Sequence, residues 1–163
     1  MAFTRMPKRA SSSASVLVSW IAPALLKHGV DLAIPSYDLA PAVRLGRIVG
    51  GMRDAVELVR AKTGKRPVVF GHSAGAHQAM MITLDRRYMA ADGRPDLIRA
   101  AAGLAGPYDF LPFDVASSIN AFGQAPDPEQ TQPLHFARAD APPLWLGHGT
   151  ADVIVHDEDT VLL

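Results

Sequence analysis

Apolar positions along the chain follow two spacings, and the spacings alternate. Val16, Leu17, Trp20, Ile21, Ala24 and Leu25 recur every three or four residues, which predicts a helix from Val16 to His28 stopped by Gly29. Val30 to Ile34 then reads as a strand ended by Pro35, and Tyr37 to Pro41 as a loop. Ile48, Met52, Val56 and Val59 mark one side of a second helix, from Val43 to Lys62, which runs through the Gly50-Gly51 pair and ends at Thr63-Gly64-Lys65-Arg66-Pro67. Val68-Val69-Phe70 is wholly apolar, as expected of a strand buried on both faces of a parallel sheet. A helix from Gly75 to about Tyr88 follows it. Ala100 to Leu104 and Leu144 to Leu146 are further strands, Ser117 to Phe122 a short helix, and Asp157 to Leu163 the opening turns of another. Strand alternating with helix predicts an α/β fold, a mostly parallel sheet with helices on both faces.

Composition narrows the class. The 163 residues are 48% hydrophobic and 20% charged, the balance of a globular chain with a core of its own. Lys plus Arg number 16 and so do Asp plus Glu, so no net field draws the chain to nucleic acid or to an anionic membrane. Cysteine is absent, which excludes disulfides, thiolate metal sites and a cysteine nucleophile. Residues 1–15 are basic and serine-rich and read as a disordered start. The apolar stretch after them is broken by Ser19 and Trp20 and is too short to span a bilayer, so a cytoplasmic protein is expected.

The chemistry begins at Gly71-His72-Ser73-Ala74-Gly75, between the Val68-Val69-Phe70 strand and the following helix. A strand that turns abruptly into a helix brings its backbone against neighbouring segments, and Gly71 and Gly75 leave room there. The residue on the turn is held strained, with its side chain projecting above the sheet edge. The helix start offers free N–H groups and a positive dipole end for the oxyanion that forms when a hydroxyl attacks a carbonyl. A phosphate-binding loop would need a longer glycine run with a lysine, or Gly-x-Gly-x-x-Gly, and neither occurs. That also argues against a nucleotide-binding doubly wound domain. Ser73 is therefore the candidate nucleophile.

A second constellation, Pro142-Pro143-Leu144-Trp145-Leu146-Gly147-His148-Gly149-Thr150-Ala151-Asp152, takes a strand into a turn that carries Asp152 past the carboxyl edge of the sheet. An aspartate there either caps its turn or orients a histidine. The order nucleophile, then acid, is that of hydrolases whose histidine comes last. With Ser36-Tyr37-Asp38-Leu39-Ala40-Pro41, Gly71 to His77 and Leu146 to Asp152 in this order, the sequence from Ser19 to Leu163 resembles the α/β-hydrolase family. It is most similar to bacterial carboxylesterases near the kynurenine formamidase and hormone-sensitive-lipase-like branches.

The resemblance implies a partial α/β-hydrolase fold over residues 16–163, as one incomplete domain that looks truncated at both ends. It implies that Ser73 attacks the substrate carbonyl, that Asp152 is the triad acid and that the Ala74 backbone N–H is one oxyanion donor. The expected substrate is a small carboxylic ester or N-formyl amide, with no metal or organic cofactor; oligomeric state is not legible. Two family features are not found: a His-Gly-Gly segment before the first helix, and the catalytic histidine. Of the six histidines, His156 is too near Asp152, His148 has a structural place in its turn, and His72 and His77 flank the nucleophile. His28 and His135 are expected on the surface. A non-catalytic remnant or binding module is accordingly the competing expectation. The resemblance also makes Val30 to Ile34 the fourth strand of the fold, with no counterpart to the third. Because unpaired backbone on central strands is costly to bury, either that strand moves over to pair with Val68 to Phe70, which is the favoured expectation, or the N-terminal segment fills the place, or the chain is poorly stable.

Overall fold

The computed structural model describes residues 21–37, 42–90, 97–155, 160 and 163. Residues 1–20, Asp38 to Pro41 and His156 lie outside them, as does most of the helix expected from Asp157. Helix α1 spans Ala22–Lys27 and α2 spans Leu45–Thr63. Strand β1, Val68–His72, leads into α3, Ala74–Leu84, and a short α4, Arg86–Ala90. After β2, Ala100–Leu104, come α5, Ala116–Phe122, and two 3-10 turns, Pro128–Thr131 and Pro133–Phe136. Strand β3 is Leu144–Gly147.

The three strands form one parallel sheet in the order β1-β2-β3, with Phe70 beside Ala102 and Ala102 beside Trp145. Helix α3 packs on β1 and β2, and α2 packs on α3. This explains the sequence of α3, which is apolar nearly all round: Ala76, Ala79, Met80, Met81, Ile82 and Leu84 are buried, and even His77, Gln78 and Thr83 are nearly so. Small residues in β2 have their own reason. A Cβ on Gly103 would collide with the hydroxyl of the buried Tyr108 and come within 3.3 Å of Met80 Cε. Helix α2 contributes Val49 and Val56 to the same core and closes on Gly64, whose φ of 70° ends it in the left-handed region with an N–H bond to the Arg60 carbonyl. Its first turn is tied to α5 through Arg44, which donates to the Asn120 carbonyl and to Gln124.

Two expectations change. Residues 30–34 form no strand and pair with nothing in the sheet, so the proposed shift onto β1 does not occur. Their inside-outside alternation is strand-like, with Leu32 and Ile34 partly covered between exposed Val30, Asp31 and Ala33. Alternation alone, without an adjacent hydrogen-bonding edge, leaves extended chain rather than a strand. Tyr37, a little further on, packs toward α2, its Cβ 3.6 Å from where a Cβ on Gly51 would stand. The second change is at Asp85. The helix predicted through Tyr88 breaks there, because Asp85 is extended (φ −78°, ψ 103°) and its carboxylate accepts from the Arg87 amide at 2.9 Å, capping α4. The Arg87 guanidinium closes the pair at 2.7 Å and stacks 4.8 Å from the Phe136 ring centre.

Helices cover the face of the sheet that carries Val69, Ala101 and Gly103. The opposite face is left open among the described residues, with Phe70 49% and Trp145 58% exposed. No helix among them is long and apolar enough to cross a membrane.

Candidate active site

Ser73 stands one residue beyond β1 with φ 53° and ψ −126°, a backbone region that residues with a Cβ avoid. The strain is held from two sides. Its amide donates to the Leu104 carbonyl at the end of β2 (2.9 Å), and its own carbonyl accepts from the amides of Ala76 (2.8 Å) and His77 (3.2 Å). Gly71 makes the turn geometrically allowed: a Cβ there would lie 2.6 Å from the Ala76 nitrogen and closer still to the Gly75 carbonyl. Gly75 differs from the expectation, since a Cβ on it would meet nothing within 4 Å.

Ser73 is half-buried and Ala74 exposed, so the turn itself is reached by solvent. Ala74 is the first residue of α3, and its N–H therefore has no acceptor within the helix. A further strained residue stands at the same edge. Ala105, one residue past β2, has φ 48° and donates its amide to the Gly147 carbonyl at 2.8 Å. Sequence reading missed it, and the only trace is its place before Gly106.

Relief of the strain is measurable. Ser73→Gly is expected to raise stability by about 1 kcal/mol, a shift of a few degrees in the melting midpoint, whereas Ser73→Ala, which keeps the Cβ, leaves it unchanged.

Asp152 lies beyond β3, on the same sheet edge. Register aligns His72, Leu104 and Gly147 at the strand ends, so β2 separates the serine turn from the aspartate turn. Two strand spacings put the ends of β1 and β3 about 10 Å apart. Oδ1 of Asp152 accepts from the amides of Ile154 (2.9 Å) and Val155 (3.1 Å), and these bonds, followed by the nearby His148 and His72 rings, hold its carboxyl below the ordinary range. Oδ2 lies 3.6 Å from His148 Nε2. The residue therefore caps its turn with Oδ1, while Oδ2 faces His148 of the same turn.

The described histidines divide clearly. His148 is committed to structure, with Nε2 donating to the Val155 carbonyl (2.8 Å) and Nδ1 bonded to the Thr160 hydroxyl (2.7 Å). His77 is buried in α3, its Nε2–H donating to the Thr131 carbonyl at 2.7 Å and its ring packed on Phe110 and Phe122 at 5.5 and 5.2 Å. Burial drives its pKa down to about 4, so it is neutral near pH 7 and turned to the core. His28 and His135 are exposed, as expected, His135 lying 3.8 Å from Glu129. His72 precedes the serine on β1 and is exposed on the strand's open face. Among the described residues no cluster of His, Asp and Glu is arranged to hold a metal ion.

This arrangement, a strained serine at a strand-to-helix turn and an acid two strands away, sits on the α/β-hydrolase fold of known esterases. Esterase 2 of Thermogutta terrifontis superposes with a TM-score of 0.69 at 21% identity, covering 88% of this chain and 58% of its own. A truncated carbohydrate esterase from gut microbiota gives 0.73 at 17% identity, covering 87% and 62%. A lipase/esterase from Lactobacillus plantarum gives 0.71 at 13%, covering 93% and 66%. The chain thus spans somewhat over half the length of the esterases it resembles. No protein-family model and no curated protein matches its sequence.

Proposed function

We propose that the protein is a serine hydrolase of the carboxylesterase or arylformamidase type, cytoplasmic, acting on small carboxylic esters or N-formyl amides. The observation that carries this reading is the backbone of Ser73, strained at φ 53° on a turn whose following helix offers the Ala74 N–H. Ser73 Oγ bonds to the carbonyl carbon and gives up its proton to a base; the oxyanion is met by the Ala74 N–H. Collapse expels the alcohol or amine with a proton, and water then releases the acid from the acyl-serine. Asp152, beyond β3 at the same sheet edge as Ser73, is the group that would orient the histidine. The base itself is not assigned to any described residue.

One result supports the choice of probe: esterase 2 of Thermogutta terrifontis is known phosphorylated by paraoxon. Paraoxon is expected to add one diethylphosphoryl group to this chain, on the peptide containing Ser73, and none to Ser73→Ala. Mass spectrometry of the intact and digested protein reads this directly, and an unlabelled but folded wild type would overturn the proposal.

A second reading is favoured by the fate of the histidines. With His77 and His148 committed elsewhere, a non-catalytic module derived from a hydrolase would bind at this edge without turnover. It predicts equal, background hydrolysis of p-nitrophenyl acetate by wild type and Ser73→Ala.

A further inference from the structure

Three phenylalanines gather beside the nucleophile turn. The chain leaving β2 passes directly over the first turn of α3, where a Cβ on Gly106 would stand 2.6 Å from the Ala76 Cβ. Past that crossing, the Phe110 and Phe122 rings close on His77 at 5.5 and 5.2 Å and on each other at 5.3 Å. Phe113 completes the group, 5.8 Å from Phe110 and stacked 5.7 Å from Phe122. His77 is one helical turn from Ser73, and its amide bonds to the serine carbonyl at 3.2 Å. The rings therefore stand at the end of α3 that begins with Ala74.

Core packing accounts for one of the three. Phe122 lies against the main apolar core, whereas Phe110 and Phe113 are outside it among the described residues, and all three rings are only partly buried. Leu111, Val115 and Ile119 are exposed on the same stretch of chain, so it is apolar outside as well as within. The stretch is nonetheless firmly held. The Phe110 amide donates to Oε1 of the fully buried Gln132 at 2.9 Å, and the Leu134 amide to the Tyr108 carbonyl at 3.1 Å. Arg44 ties the far end of α5 to the start of α2. Aromatic surface that is fixed in place and half covered keeps ring faces available for one more ring, because such pairs form at centre distances of about 4.5–7 Å.

We propose that Phe110, Phe113 and Phe122 form an aromatic subsite that selects substrates whose acyl part carries an aromatic ring, with Phe113 as the specificity-determining residue. This deepens the hydrolase reading and rests on it. The acyl part is the one retained on Ser73 through both chemical steps, so it is the part that stays against this turn. Phe110 and Phe122 pack on His77 and Phe113 packs on them, which makes Phe113 the outermost of the three.

Methanesulfonyl fluoride and phenylmethanesulfonyl fluoride, which differ by one phenyl ring, test it on the full chain. Each forms a bond from Ser73 Oγ to sulfur with loss of fluoride and of the hydroxyl proton, and mass spectrometry follows the rate. Taking the ratio of the two rates cancels changes in the strength of the nucleophile. Phe113→Ala is expected to lower the phenyl-to-methyl ratio about threefold to tenfold, the worth of one aromatic contact. Phe113→Leu, which keeps bulk and loses the ring, should lower it less, and Phe70→Ala, on the open sheet face, should leave it unchanged. Far-UV circular dichroism checks that each variant is folded. With Ser73 labelled by paraoxon, a ratio unmoved in both Phe113 variants would overturn the subsite and leave the hydrolase reading standing. An equal fall in Phe70→Ala, or a wild type that phenylmethanesulfonyl fluoride does not label, would do the same. A folded wild type that paraoxon does not label would overturn both.

Discussion

Gly71→Ala is expected to cost at least about 3 kcal/mol, lowering the melting midpoint by roughly 10 °C or abolishing a cooperative transition. The reason is that the added methyl runs into the peptide group that joins Gly75 to Ala76. The Gly75 carbonyl group and the Ala76 nitrogen, the latter 2.6 Å from the new Cβ, belong to the first turn of α3 and have no rotamer to yield. Relieving the clash requires moving that turn away from β1, which pulls on the Ser73 amide and its bond to Leu104. Gly75→Ala, four residues on, is the internal control. Its methyl enters open space within a helix, so it should be neutral or raise stability by about 0.5–1 kcal/mol. Thermal melts of the two variants beside wild type decide the matter: similar midpoints for both would contradict the close approach at Gly71.

The second large effect is a dependence on pH that originates in His77. In the unfolded chain its ring titrates near 6.5, whereas in the folded chain burial holds it to about 4. Above pH 6.5 both states are neutral and the full stability is present. As pH falls below that value the unfolded chain takes up a proton the folded chain refuses, and stability is lost until the folded pKa is reached, about 3 kcal/mol in all. Asp140 and Asp152 sit below their ordinary 3.8 and so act in a lower window. Unfolding free energies from urea titrations at about pH 7 and about pH 5 should therefore differ by about 2 kcal/mol in wild type. His77→Gln can still donate to the Thr131 carbonyl but cannot titrate, and its smaller slope isolates the share of this one ring. An unchanged slope in that variant would place the pH dependence elsewhere.

Where the sequence spoke of spacing, the structure agrees closely. Helix α2, strands β2 and β3 and the strand-turn-helix around Ser73 were all legible, because each is set by local pattern: period, a glycine stop, an apolar run. What escaped the sequence was set by partners. Residues 30–34 carry a strand pattern but have no neighbouring edge to bond. Asp85 reads as one more helical residue until its carboxylate is seen to hold the Arg87 amide. Gly71 and Gly75 look equivalent in the motif, yet only the first faces backbone. His77 gave no sign of burial, since its surroundings, Phe110, Phe122 and Thr131, come from a distant stretch of chain. Of the candidate site, the two turns, their shared edge and the structural place of His148 were readable; the burial of His77 was not.

The amide of Ser73 ends on Leu104, far along the chain and on another strand. The bonds to its carbonyl come from the next turn of chain, but the bond that fixes its amide does not, so the turn is held from both sides only once β1 and β2 have met across the crossover formed by α3. The serine is thus among the later features to be set during folding. For the same reason its amide proton should exchange with solvent at the rate at which the β1–β2 pair separates. Hydrogen exchange at this one position becomes a clock for the whole junction, slow while the sheet holds and fast as soon as it opens.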